Sequence, residues 1–277
     1  MCCSIRLRIS PVCLILLALG SVLLLPSCNT TYPPNMPSVP STPLSPTEPA
    51  PPVAATPAPS TYLGRLDEYG ARPGPRGFRT VVVDAGHGGK DSGAVSRHNG
   101  LVEKTIALDV AKRLRDDLSG SFRVYMNRDS DYFVDLSSRV LDANAHPDAI
   151  SVSIHFNECR GSCAGPETYW WRTDSYTLAK RVQQHLSAIA PYHESRGLVR
   201  RRLRLTRNPG IPCILVECGY VSSSREAKYI SDSSYRAQIA RAIASAIREQ
   251  AALGDGDLGP LPSPIYAPPS KDTDRRE

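Results

Sequence analysis

Proline decides how much of this chain can fold. Residues 29–60 hold 11 prolines in 32 positions, with Ser, Thr and Ala between them. Proline fixes φ and removes a backbone donor, so the stretch supports neither a helix nor a sheet ladder and favours extended polyproline II. At about 3.1 Å per residue it reaches on the order of 100 Å. The far end, residues 253–277, is again rich in Gly, Pro and charge and reads as a disordered tail. One domain over residues 80–252 remains, with residues 29–79 as its linker. An apolar share of 41% is ordinary for a globular protein, and this length buries a core without disulfide support.

Residues 1–28 read as a targeting segment. Arg6 and Arg8 give a positive start, and Cys13 to Leu25 form an apolar run of 13 residues, short for a membrane span. The run ends in Leu25-Pro26-Ser27-Cys28, similar to a bacterial lipoprotein box, with Pro26 in place of the usual small residue. Lipidation of Cys28 would hold the protein at a bacterial membrane, on the periplasmic side, without spanning it. The net charge of +6 suits an anionic partner such as a membrane surface or a carboxylate-rich polymer. It is too weak a bias to imply nucleic acid. Outside the cytoplasm Cys159 and Cys163 are close enough in sequence for a loop disulfide. Cys213 and Cys218 fall in one apparent strand, roughly 16 Å apart, and read as small buried apolar residues.

Inside the domain, strands alternate with helices. Thr80–Val83, Phe122–Met126, Ile150–Ile154, Thr168–Trp171 and Ile214–Val216 have strand character. A helix is expected from Glu103 to Leu118, where Ile106, Val110, Leu114 and Leu118 recur every four residues. Others are expected from an Asp135 N-cap to Ala145, from Tyr176 to Ile189, and from Tyr235 to Glu249. The pattern predicts an α/β fold: a mostly parallel or mixed central sheet flanked by helices on both faces, in a single catalytic domain.

Three of these strands end in chemistry. One runs into Asp84-Ala85-Gly86-His87, one into His155-Phe156-Asn157, and one into Glu217. Ligand sites of open α/β sheets lie at the carboxyl ends of strands, so the three side chains are candidates to meet. Glu103 opens the first helix after a Gly-rich loop that can fold back toward His87. Two His and a carboxylate form a catalytic zinc set with one position open to water, and a further carboxylate can serve as general base. An unpaired Glu217 amid Ile, Leu and Val would otherwise be costly. The phosphate-loop pattern fails at Asp84 and Asp91, and neither HExxH nor GxSxG occurs. His98, His146, His185 and His193 read as loop, turn or helix-surface residues.

VVVDAGHGG at Val81–Gly89, the Glu103-Lys104 pair, SIHFN at Ser153–Asn157 and ILVECGY at Ile214–Tyr220 resemble the hallmark segments of the zinc-dependent N-acetylmuramoyl-L-alanine amidases. Asn127-Arg128-Asp129 and Arg139–Asn144 fit the same pattern, so the resemblance covers residues 80–250. It implies hydrolysis of the amide between N-acetylmuramic acid and L-alanine in peptidoglycan, by zinc-activated water. It also implies one zinc ion on His87, Glu103 and His155, with Glu217 as the catalytic carboxylate. Peptidoglycan or its precursors would be the partner. Two rivals are a non-catalytic peptidoglycan-binding scaffold and a zinc peptidase cutting within the stem peptide.

Six arginines stand at positions 196, 200, 201, 202, 204 and 207. They read either as a cradle for stem-peptide carboxylates or as a solvated edge that discourages strand pairing. Only 61 residues separate His155 from Glu217, and strand and helix patterns use most of them. That leaves no room for the long helical plug that some amidases of this kind carry there.

Overall fold

The computed structural model describes residues 74–265 and 267–271. The signal-like segment, Cys28 and the Pro-rich stretch lie outside the described residues. Six strands form one sheet: β1 (Thr80–Ala85), β2 (Arg123–Met126), β3 (Ala149–Asn157), β4 (Glu167–Trp170), β5 (Gly197–Arg200) and β6 (Cys213–Tyr220), in the order β2-β1-β3-β6-β4-β5. The first four in that order are parallel, β4 runs antiparallel to β6, and β5 runs parallel to β4. The sheet is therefore mixed.

Strand alternation divides the work between its faces. Along β3, Ile150, Val152, Ile154 and Phe156 enter the main core, while Ser151, Ser153 and His155 point the other way. The apolar face is covered by α1 (Glu103–Leu118), α3 (Tyr176–Ile189) and α6 (Ser233–Leu253). Their stripes Ile106-Val110-Leu114, Leu178-Val182-Leu186 and Ile239-Ile243-Ile247 are fully or nearly fully buried. Each such side chain contributes about 1.5–3 kcal/mol on burial. Among the described residues, the helices on the polar face are α2 (Leu136–Asn144) and the four-residue α4 (Arg204–Arg207), packed on small patches such as Tyr169, Leu205 and Leu215. The catalytic candidates lie on this thinly covered face. Asp135 caps α2 as expected, accepting from the Ser137 and Ser138 amides at 2.9 and 3.0 Å. The remaining helix, α5 (Ser224–Ser231), packs against β6 and α6.

Described residues on either side of 80–252 pack against the domain. On the N-terminal side, Phe78 is buried and stacks on Phe122 at 5.5 Å, and Gly77 donates to the Ala251 carbonyl at 2.8 Å. On the C-terminal side, residues 254–271 are not a free tail. Arg181, fully buried, pairs with Asp257; Lys180 donates to the Leu258 carbonyl; and Arg200 donates to that of Ser263. Backbone carbonyls without a regular partner are satisfied by cationic side chains, so a Pro-rich strand that cannot build secondary structure still binds. Three arginines of the run have a further part that neither expectation named. β5 is an edge strand that does pair, and Arg200, Arg202 and Arg207 hold the C-terminal segment. Among the described residues no helix is long and apolar enough to cross a membrane.

Candidate metal centre

The site is built at the carboxyl ends of β1 and β3. Their ladder continues past Ala85, with the Gly86 amide donating to the Ile154 carbonyl at 3.0 Å. A Cβ on Gly86 would lie 2.4 Å from the His155 ring, so glycine here is what lets that imidazole lie across the end of β1. The next residue, His87, sits in the left-handed region at φ 60°, a conformation that costs a non-glycine residue roughly 1–2 kcal/mol.

Two buried arginines hold the chain in that turn. Arg128, fully buried, donates to the carbonyls of Ala85 and Gly86 at 2.8 and 2.7 Å. Arg139 donates to those of Ala85 and His87 at 2.8 and 2.6 Å. Asp84, on the polar face of β1, pairs with Arg139 and accepts from Ser153 and Asn127. The Arg128 and Arg139 segments fitted the amidase pattern in sequence; the structure gives their reason.

Glu103 reaches the same point from the start of α1. Its carboxylate accepts from the Ala94 amide at 2.8 Å through Oε2 and from the Phe156 amide at 3.0 Å through Oε1. Oε1 also lies 2.9 Å from His87 Nε2 and 3.0 Å from His155 Nδ1. One donor atom from each of the three side chains lies within 4.8 Å of the other two. The two imidazoles meet edge to face at 4.9 Å. Two nitrogens and a carboxylate oxygen are a zinc-type donor set, and tetrahedral bonds near 2.0–2.1 Å space donors by roughly 3.3 Å. The three donors are therefore close enough to share one metal ion. His98, His146, His185 and His193 do not join this group.

Glu217 stands beside the triplet on β6, in register with His155 of β3 on one side and Glu167 of β4 on the other. Its Oε2 is buried without a hydrogen-bond partner among the described residues, and so is His155 Nε2. Burial pushes the Glu217 carboxyl well above the usual range, reinforced by repulsion from Glu103 and Glu167 and eased by Arg201. Glu103 goes the other way. Burial opposes its charge, but hydrogen bonds and attraction from His155 and His87 win and hold it well below the usual range. Burial also disfavours charge on His87, and the pull of Glu103 and Asp91 overcomes it, raising that imidazole.

Glu167 was not visible in the sequence as a site residue. It accepts from the Tyr169 and Tyr220 hydroxyls at 3.0 and 2.8 Å, and Asn157 donates to both hydroxyls at 3.2 Å. The one signal was a carboxylate opening a strand of Thr, Tyr and Trp, ETYW. Away from this centre, Cys159 and Cys163 are bonded to each other, and Cys213 and Cys218 are free and buried in β6. A cavity of about 360 Å³ opens beside His87 and His155, walled by Phe133, Leu136, Leu205 and Leu215 among others.

Comparison with known proteins converges on the same region. Residues 81–249 match the family described as N-acetylmuramoyl-L-alanine amidase. The protein YqiI of Bacillus subtilis is 35% identical over 175 residues, covering 61% of this chain and 83% of that one. The N-acetylmuramoyl-L-alanine amidase LytC of the same organism is 32% identical over 170 residues, covering 59% of this chain and 34% of its own. Among solved structures, the N-acetylmuramoyl-L-alanine amidase AmiC2 of Nostoc punctiforme superposes with a TM-score of 0.59 at 34% identity, covering 63% of this chain and 97% of that one. The sequence match and the shared fold both run through the strand ends and the helix start described above, and the chain therefore belongs to the N-acetylmuramoyl-L-alanine amidase family.

Proposed function

We propose that the chain hydrolyses the amide between N-acetylmuramic acid and L-alanine in peptidoglycan as a zinc-dependent amidase, with Glu217 as the proton-transfer group. The observation that carries this reading is the meeting of His87, Glu103 and His155 donors within 4.8 Å of one another, next to a carboxylate with an orphaned oxygen. A zinc ion held by those three residues would supply Lewis-acid chemistry, polarising the scissile carbonyl and acidifying water.

The chain's own residues supply the rest. The amides of Ala94 and Phe156 hold the Glu103 carboxylate in place, so the donor set is organised before substrate arrives. Arg128 and Arg139 fix the turn that aims His87. Glu217 takes the proton from the attacking water and returns it to the L-alanine nitrogen as the C–N bond breaks. A carboxyl whose protonated form is favoured by burial is suited to the second half of that exchange.

Glu217→Ala should abolish release of stem peptides from purified sacculi while the chain still binds zinc. A variant that keeps releasing them at the normal rate removes Glu217 from the mechanism. A silent binding scaffold has no use for a complete donor set and a buried acid beside it. A cut within the stem would instead yield products shortened on the peptide side.

The first 28 residues support a further part of this reading, periplasmic residence with attachment to a membrane through lipid on Cys28. The Pro-rich linker would then let the domain reach a polymer standing off the membrane by up to about 100 Å.

A further inference from the structure

Arg196 stands at the catalytic end of the sheet. β4 and β5 run opposite to β6, so they start where β3 and β6 finish. A row of paired residues crosses that end: His155 on β3, Glu217 on β6, Glu167 on β4 and Gly197 on β5. Arg196 precedes the last of these and leans back along the row. Its Nε lies 3.6 Å from Glu167 Oε2, and its guanidinium 5.4 Å from the centre of the Tyr220 ring. At that length the ion pair is not a hydrogen bond, and the arginine side chain is 41% exposed. Arg196 also lines a second cavity, of about 840 Å³. Its walls come from the loop closed by the Cys159–Cys163 disulfide, from residues 193–196 ahead of β5 and from residues 222–225 after β6. All three segments adjoin the same end of the sheet. The other charges there are Arg225 and Glu194, 3.5 Å apart, beside the imidazoles of His98 and His193.

We infer, resting on the amidase reading above, that the peptide half of the substrate runs from Glu217 toward this second cavity, and that Arg196 is a specificity-determining residue that binds one of its carboxylates. The acid that hands a proton to the leaving nitrogen stands beside it, so the L-alanine nitrogen lies at Glu217. The acyl carbon lies over the His87, Glu103 and His155 donors. The chain beyond the nitrogen therefore continues away from those donors, along the row to Glu167 and Arg196. Neighbouring strands stand about 4.8 Å apart and an extended peptide advances about 3.3 Å per residue, which puts the bound carboxylate roughly one to three residues past the cut. The lactyl carboxyl of the sugar is consumed in the amide, so in the polymer the carboxylates belong to the peptide half. A guanidinium pairs with a carboxylate through two parallel hydrogen bonds, which a neutral amide cannot reproduce. Arg196 therefore discriminates free acid from amide.

The test compares the full chain with Arg196→Ala and Arg196→Lys on a soluble muramyl peptide whose carboxylates are free or all amidated. Arg196→Ala should raise KM for the free acid roughly three- to tenfold with kcat held, the effect of one charge contact at a partly exposed site. Arg196→Lys keeps the charge without the fork and should recover part of that rise. On the amidated peptide all three should behave alike. An unchanged KM for Arg196→Ala on the free acid overturns the inference. So does a matching loss on both peptides, which is what a purely structural pairing with Glu167 would give. Calorimetry with the released stem peptide repeats the comparison without turnover: Arg196→Ala should weaken binding of the free acid and leave the amide unchanged, and equal binding by parent and variant overturns the inference. A parent that cuts neither muramyl peptide counts against the amidase reading instead, and the binding difference still decides the role of Arg196.

Discussion

At the residue scale the centre works by opposed environments for two carboxylates. Glu103 is surrounded by donors and stays charged; Glu217 is buried with its oxygen unpaired and favours its proton. That difference makes a prediction about stability. In the chelated protein the folded state holds the Glu217 proton at pH values where the unfolded state, titrating near 4.3, has lost it. The stability it contributes is therefore present below the unfolded value and lost as pH rises through the higher folded value. Glu217→Gln removes the penalty. It should melt higher than the parent at about pH 7, with the gap closing at about pH 4 and below. A gap that does not depend on pH would show that the carboxyl is not held protonated. The Asp84–Arg139 pair is the other sensitive point. Arg139→Ala strands a buried carboxylate and frees the His87 turn, and should lower unfolding free energy by about 3–5 kcal/mol by denaturant titration. Asp84→Asn in the same chain should recover part of that loss.

At the scale of elements, periodicity carried most of the information. The spans of α1 and α3 are those that apolar spacing predicts, and five of the six strands were legible from short runs rich in β-branched or aromatic residues. Of the four candidates, His87, His155 and Glu217 stood out at or just past strand ends as polar residues that their neighbours did not explain, and Glu103 at a helix start. Short pieces were not legible. β5 is four residues of Gly, Leu, Val and Arg within an arginine-rich run, and α4 is a single turn; both depend on partners distant in sequence. The C-terminal strap failed for a related reason. Its composition is that of a disordered chain, and it is held by side chains of other elements, which local pattern cannot register. Truncation after Leu253 should therefore cost stability. It removes Asp257 from the buried Arg181 and Ala267 from the buried Arg207, and a loss of about 2–4 kcal/mol in denaturant unfolding is expected. An unchanged midpoint would mean the strap contributes nothing to the fold.

For the whole molecule, the sheet separates stability from chemistry. One face is sealed by three long helices; the other is left thin so that strand ends and a cavity remain open to a polymer. The segment between His155 and Glu217 is occupied by β4, α3, β5 and α4. The purified chain should then act on sacculi without an added activator, and strict dependence on one would contradict that reading. In the proposed mechanism, His87, Glu103 and His155 gather one zinc ion and Glu217 transfers the proton as the sugar–peptide amide is cut. The most direct measurement is mass analysis of a defined muropeptide digested by the full chain, before chelation, after chelation and after zinc is returned. The expected products are an intact stem peptide with a free L-alanine amine and its peptide-free muramyl sugar, lost with the metal and regained with it. Stem fragments cut at another amide, or turnover indifferent to the chelator, would contradict it.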